Sequence, residues 1–184
     1  MKTNMRLNKN YPDAQELANI FLTSPENAPE SEEYKFIEPG YAETLNSIYN
    51  LESNKKIGKN WSGFAYSRYS TLAKNVSNFF GLKSQIANSY NQETGQFNKN
   101  KIDINFKGDT NLFRALGNAT ILEPRIDDKG YFHGILFDKY DFDLKYYDYY
   151  KDVFTTSAVI LFWNIQHNHP NKNFYILAPI QFKW

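Results

Sequence analysis

The chain contains no cysteine. Disulfides, thiolate nucleophiles and cysteine-based zinc sites are therefore excluded. The compartment stays open, because a cysteine-free chain suits the cytoplasm and export alike. Excess charge is missing too: 21 Lys and Arg face 20 Asp and Glu, for a formal net charge of +1. No strong field gathers nucleic acid or an anionic membrane, and no nucleic-acid partner is expected. Long apolar runs are also lacking. The longest, Ala158 to Trp163, is far too short to span a bilayer, so no transmembrane segment is expected. Met1 to Arg6 does not lead into the apolar core of a signal peptide. No G-x-S-x-G and no phosphate-loop glycine pattern occurs.

Aromatic residues are plentiful, at 17% of the chain, led by Phe and Tyr. Rings suit pleated strand surfaces and contacts with carbohydrate. The length of 184 residues is enough to bury a real core in one domain. Residues 1 to 40 read as a poorly packed leader and linker, with one short helix at Asp13 to Leu22. Ser24 to Glu33 is polar, acidic and broken by two prolines. Residues 41 to 184 then read as one α+β domain. A helix is expected at Tyr41 to Leu51. A second, amphipathic one is expected between Trp61 and Phe80, where apolar residues recur at helical spacing and Gly81 follows as a cap.

After Asn100 the period changes. Ile102, Ile104 and Phe106 alternate with polar residues, which marks a strand. Thr110 to Leu116 reads as one or two helical turns ending at Gly117, and Ala119 to Leu122 as a strand. A charged turn at Pro124 to Gly130 leads into a long strand at Tyr131 to Phe142. Tyr149 to Gln166 reads as a buried helix, His167 to Lys172 as a loop, and Phe174 to Phe182 as a terminal strand. This irregular order predicts an α+β fold, with a mostly antiparallel sheet in the C-terminal half packed against helices from the N-terminal half.

The densest chemistry lies at the end of the long strand, in Asp138-Lys139-Tyr140-Asp141. Period two places Asp138 and Tyr140 on one face, Lys139 and Asp141 on the other. A bulge there would bring the two carboxylates together. Paired carboxylates bind a hard cation such as Mg²⁺, or divide acid and base roles by splitting their pKa values. The plainer alternative is that these acids face solvent at a strand end. His133, His167 and His169 are the three histidines. Each suits a proton shuttle or metal ligand, or a simple hydrogen-bonding role. His167 and His169 lack the i, i+4 spacing of a helical zinc site. Arg114 and Arg125 suit phosphate binding or surface ion pairs.

The ordered set Gly108-Asp109-Thr110-Asn111, Gly117-Asn118-Ala119-Thr120, Gly134-Ile135-Leu136 and Asp138-Lys139-Tyr140-Asp141-Phe142 resembles the catalytic domain of colicin M and its relatives. Tyr175 to Pro179 is similar to the family's last strand. The likeness covers roughly residues 105 to 182, so residues 102 to 184 are the candidate catalytic part. It implies an antibacterial toxin domain that cleaves lipid II, a lipid-linked peptidoglycan precursor, between polyprenyl chain and pyrophosphate, with Mg²⁺. It further implies action in a target cell's periplasm after secretion or delivery, peripheral contact with the membrane, and a cognate immunity protein. Carried over by position, Asp138, Tyr140 and Asp141 are active-site residues, with Asp138 and Asp141 toward the metal. Where the family has a His-Arg pair, this chain has Tyr147 and Asp148. Arg114, Arg125, Lys145 or the His167 and His169 region must then neutralise the leaving group, with His133 and His167 as proton carriers and Lys139 toward substrate. Two other readings remain: a non-enzymatic binding module, and a toxin of different chemistry, such as a nuclease using His133 or His167 as base.

Overall fold

The structure is a computed structural model, and it describes residues 14–28, 30–37, 40–51, 61–140, 153–168 and 173–184. A six-stranded sheet forms its centre, in the order β1-β2-β8-β7-β6-β5. The strands are β1 (Tyr34–Ile37), β2 (Ser62–Tyr66), β5 (Lys101–Asn105), β6 (Asn118–Ile126), β7 (Tyr131–Tyr140) and β8 (Phe174–Lys183). A separate small hairpin joins β3 (Tyr90–Asn91) to β4 (Gln96–Phe97). Every neighbouring pair in the main sheet is antiparallel except β2 with β8. The helices are α1 (Ala14–Thr23), α2 (Tyr41–Tyr49), α3 (Thr71–Ser77), α4 (Leu82–Ala87), α5 (Thr110–Ala115) and α6 (Val153–Asn168). The fold is α+β, as the irregular order of periodicities predicts, with helices spread along the chain.

β7 and β8 are the centre of the sheet. They pair without a break from Tyr131 opposite Lys183 to Tyr140 opposite Phe174. One face carries Phe132, Leu136 and Tyr140 from β7 and Phe174, Ile176, Ala178 and Ile180 from β8, all in the main core. Leu17, Ile20 and Phe21 of α1, Leu72 and Val76 of α3, and Leu112 of α5 complete it. Burying each such side chain contributes about 1.5–3 kcal/mol. The other face holds a smaller core, where Leu45 of α2 meets Leu122, Phe137 and Tyr175.

Three expectations are corrected. Residues 14–28 and 30–37 belong to the body: α1 fills the core and β1 is a strand of the main sheet. The acidic stretch before β1 is built in, since the Glu33 carboxylate accepts from the Thr71 backbone N–H at 2.6 Å, at the start of α3. Ser70 caps the same helix by accepting from the Ala73 N–H at 3.1 Å, and such a cap is typically worth about 1 kcal/mol. Second, Trp61 to Phe80 is not one helix. Ser62–Tyr66 is a strand, and only Thr71–Ser77 is helical there. Gly63 sits in that strand because the Tyr175 ring lies against its backbone, leaving no room for a Cβ. Third, α6 is not buried all round: Ile160 and Leu161 are exposed, while Phe162 and Ile165 pack on the main core.

Candidate functional site

Asp138 lies near the end of β7, opposite Ile176 of β8, which is opposite Phe64 of β2. The row is apolar on the β8 side of the carboxyl. Asp138 is 7% exposed and is the one charged side chain buried among the described residues. A buried carboxyl is expensive to keep unless partners serve it, which makes such a residue a functional candidate in its own right. Tyr140, two residues on, shares this face and is 6% exposed. Its ring stacks on Phe174 at 4.8 Å and meets Phe21 of α1 edge-on at 6.1 Å. Phe21 in turn touches Phe162 of α6 at 5.8 Å. Tyr140 is thus a core ring that packs the strand end against α1.

Lys139 points to the opposite face, as period two requires. Its ammonium lies 5.7 Å from the centre of the Trp61 ring, and its strand partner is Tyr175. Asp141, His169, Lys145, Tyr147 and Asp148 lie outside the described residues. Against β8, β7 keeps a regular register through Tyr140, so no bulge lies between Asp138 and Tyr140 in that pair. The sheet's irregularity sits in β6 instead, between Leu122 and Arg125, where Glu123 adopts a left-handed φ of 52°.

His133 and Arg125 are cross-strand partners at the other end of β7. Five residues of strand separate His133 from Asp138, about 17 Å, and the odd spacing puts them on opposite faces. His133 Nε2 lies 2.8 Å from Asp127 Oδ2. Asp127 also accepts from the backbone N–H groups of Lys129 and Tyr131 at 3.0 and 2.9 Å. The Tyr131 N–H first, and His133 second, hold its carboxyl below the usual range. The pair therefore closes the β6–β7 hairpin, and neither His133 nor Arg125 reaches the Asp138 end. Arg114 is exposed in the last turn of α5. His167 belongs to the last turn of α6 rather than to a loop, with Nδ1 3.0 Å from the Trp163 carbonyl and its ring over the Trp163 ring.

The motif-like residues upstream have local roles. Gly108 takes a left-handed φ of 109°, and Asp109 caps α5 by accepting from the Asn111 and Leu112 N–H groups at 3.0 Å each. Gly117, also left-handed, ends that helix. Thr120 donates to Asp103 across β5–β6 at 3.0 Å. A helix inserted between two paired strands needs such residues whatever the activity.

Two features were not singled out from sequence. Tyr175 is fully buried, and its hydroxyl has no hydrogen-bond partner among the described residues; burial pushes its pKa up. Tyr49 donates to the Glu123 carboxylate at the bulge, and that bond first, with burial, pushes its pKa up to about 12. Among the described residues no three of His, Cys, Asp or Glu gather as a metal cluster. Asp138 supplies a single carboxylate, which suits Mg²⁺ as one of the one or two carboxylates it takes beside waters. No family model matches the chain, and comparison with curated proteins and with solved structures also yields no match.

Proposed function

We propose that the chain is a toxin-type hydrolase domain that cleaves a lipid-linked phosphoester of the lipid II kind at the Asp138 end of the sheet. The observation that carries this reading is the burial of Asp138 near the end of a central strand. With the Tyr140 ring committed to core packing, the chemistry rests on the carboxylates. Asp138 orients or deprotonates the attacking water, and Asp141 shares that task from three residues on. Lys139 is held near Trp61 on the far face, so the charge of the pyrophosphate falls to other groups. Mg²⁺, held by Asp138 and Asp141, would neutralise charge developing on the phosphate.

α6 supports a lipid-linked substrate. Its 16 residues contain no Asp, Glu, Lys or Arg, and Ile160 and Leu161 are exposed. Two ring contacts, through Phe162 and Phe21, join it to Tyr140. No helix in the described residues is long and apolar enough to cross a membrane, so contact with lipid would be peripheral. Delivery to a target cell's periplasm and a cognate immunity protein belong to the same reading.

A non-enzymatic binding module is the second reading, and the packing of Tyr140 as a core ring favours it. Expression with and without an export signal separates the two. The hydrolase reading expects toxicity only on export, abolished by Asp138→Asn. A folded, exported and harmless wild type leaves the binding module. Toxicity confined to the cytoplasm points instead to a nuclease or another internal target.

A further inference from the structure

A cavity of about 350 Å³ lies between the short 3₁₀ turn at Pro25–Asn27 and the core-bearing face of β1 and β2. Three of its lining residues are aromatic: Tyr34 and Phe36 of β1 and Phe64 of β2. Alternation puts all three on one face, and Phe36 is the direct strand partner of Phe64. The Tyr34 ring stands at 83° to the Phe64 ring, with centroids 5.1 Å apart. The Phe36 ring stands at 74° to it, at 5.8 Å. Rings crossed at such angles turn their faces in different directions, as the walls of a cage do. Phe64 is fully buried, while Phe36 is 43% exposed and is the wall nearest solvent. Glu26 and Glu30 also line the cavity, and both are exposed. Neither carboxylate takes part in an ion pair among the described residues. Lys35 is the one cation in the lining. Period two turns its side chain to the face of β1 opposite Tyr34 and Phe36.

We propose that this cavity binds a small organic cation, an alkylated or quaternary ammonium of the choline class. Aromatic ring faces are electronegative and attract a cation whose charge is spread over methyl groups. Such a cation gives up its water more readily than a bare ammonium, and the two glutamates complement its charge. A hard metal ion is a poor match, because the rings offer no oxygen ligands. The volume lies at the low end of small-molecule sites, roughly 300–1,000 Å³, so the ligand is small. A phosphate joined to the ammonium would meet the two carboxylates. The occupant is therefore the free cation rather than a phosphocholine headgroup. Phe36 shares a strand row with Asp138, through Phe64 and Ile176. Three strand spacings, about 14 Å, separate them, so the proposal stands whether or not Asp138 is catalytic.

The test uses the full chain, labelled for amide NMR and titrated at low salt. The probes are choline, its neutral analogue with carbon in place of nitrogen, and phosphocholine. Choline should shift the amides of Tyr34, Phe36 and Phe64 in a saturable way. The neutral analogue, equal in shape, should bind on the order of tenfold more weakly. Phe36→Leu keeps an apolar wall but removes one ring. It should weaken choline on the order of tenfold and leave the neutral analogue's affinity unchanged. Glu26→Gln with Glu30→Gln should weaken choline several-fold and bring phosphocholine up to its level. Equal binding of choline and its analogue, unchanged choline affinity in either variant, or no shift at these amides would overturn the proposal. So would phosphocholine binding more tightly than choline to the wild type, since the occupant would then be a lipid headgroup. If Phe36→Leu does not fold, the comparison of choline with its neutral analogue decides alone.

Discussion

The two ends of β7 carry titratable side chains in opposite settings. At the hairpin end, His133 turns to the face of the smaller core, pairs with Asp127 and stays partly exposed. At the other end, Asp138 turns toward the helix-covered face and is buried. An odd spacing of five residues is enough to send them to different sides. The contrast separates a histidine that closes a turn from an acid buried at the strand's other end. Both residue types look equally promising in sequence, and only their surroundings distinguish them.

The strongest way to break this comparison is to empty the packing that holds the buried end. Tyr140→Ala removes a ring wedged between Phe174 and Phe21 and should cost about 3–5 kcal/mol of stability in urea denaturation. Tyr140→Phe keeps the ring and should cost far less. A loss below 1 kcal/mol for the alanine variant would mean that the strand end is loosely held. Gly63→Val tests the same end from the opposite face. A Cβ there meets the Tyr175 ring, and overpacking should cost about 1–3 kcal/mol or prevent folding. Normal stability would show that the ring moves aside freely.

At the hairpin end the effects are smaller. His133→Ala should change stability little near neutral pH, as for other exposed pairs. Its mark should appear in acid. The Asp127 carboxyl is held below its ordinary 3.8 in the fold, so its contribution is present above that value and is lost as pH falls through the folded pKa. Removing His133 should make the acid limb of the stability profile shallower. An unchanged limb would assign the whole effect to the turn's backbone N–H groups. The smallest effect concerns Tyr49, whose pKa is raised to about 12 from 10.0. The raised value means stability is intact below pH 10 and is lost as pH climbs from 10 toward 12. Tyr49→Phe should flatten that alkaline limb, measured by thermal melting at stepped pH.

How much was legible follows from which information is local. The strands from Lys101 onward announce themselves by alternation, and β6, β7 and β8 pair antiparallel as expected. The opposed faces of Asp138 and Lys139 follow from period two alone. What escaped depends on distant partners. Gly63 and Ala65 make Trp61–Tyr66 look unlike a strand, because the ring that covers Gly63 belongs to Tyr175, more than a hundred residues later. Glu33 reads as linker, yet it caps a helix 38 residues on. The bulge sits at Glu123, where no glycine marks it. Candidate residues were readable as types, but strand register alone separates His133 and Arg125 from Asp138.

The central claim is that the Asp138 end performs the chemistry and the His133 end does not. The direct measurement is Mg²⁺-dependent cleavage of purified lipid II by wild type, Asp138→Asn and His133→Ala, with melting temperatures taken in parallel. The account predicts that Asp138→Asn loses on the order of 10²–10⁴ in rate while melting close to wild type, and that His133→Ala keeps its rate. Undiminished turnover by Asp138→Asn, or a folded wild type that leaves lipid II intact, would contradict it.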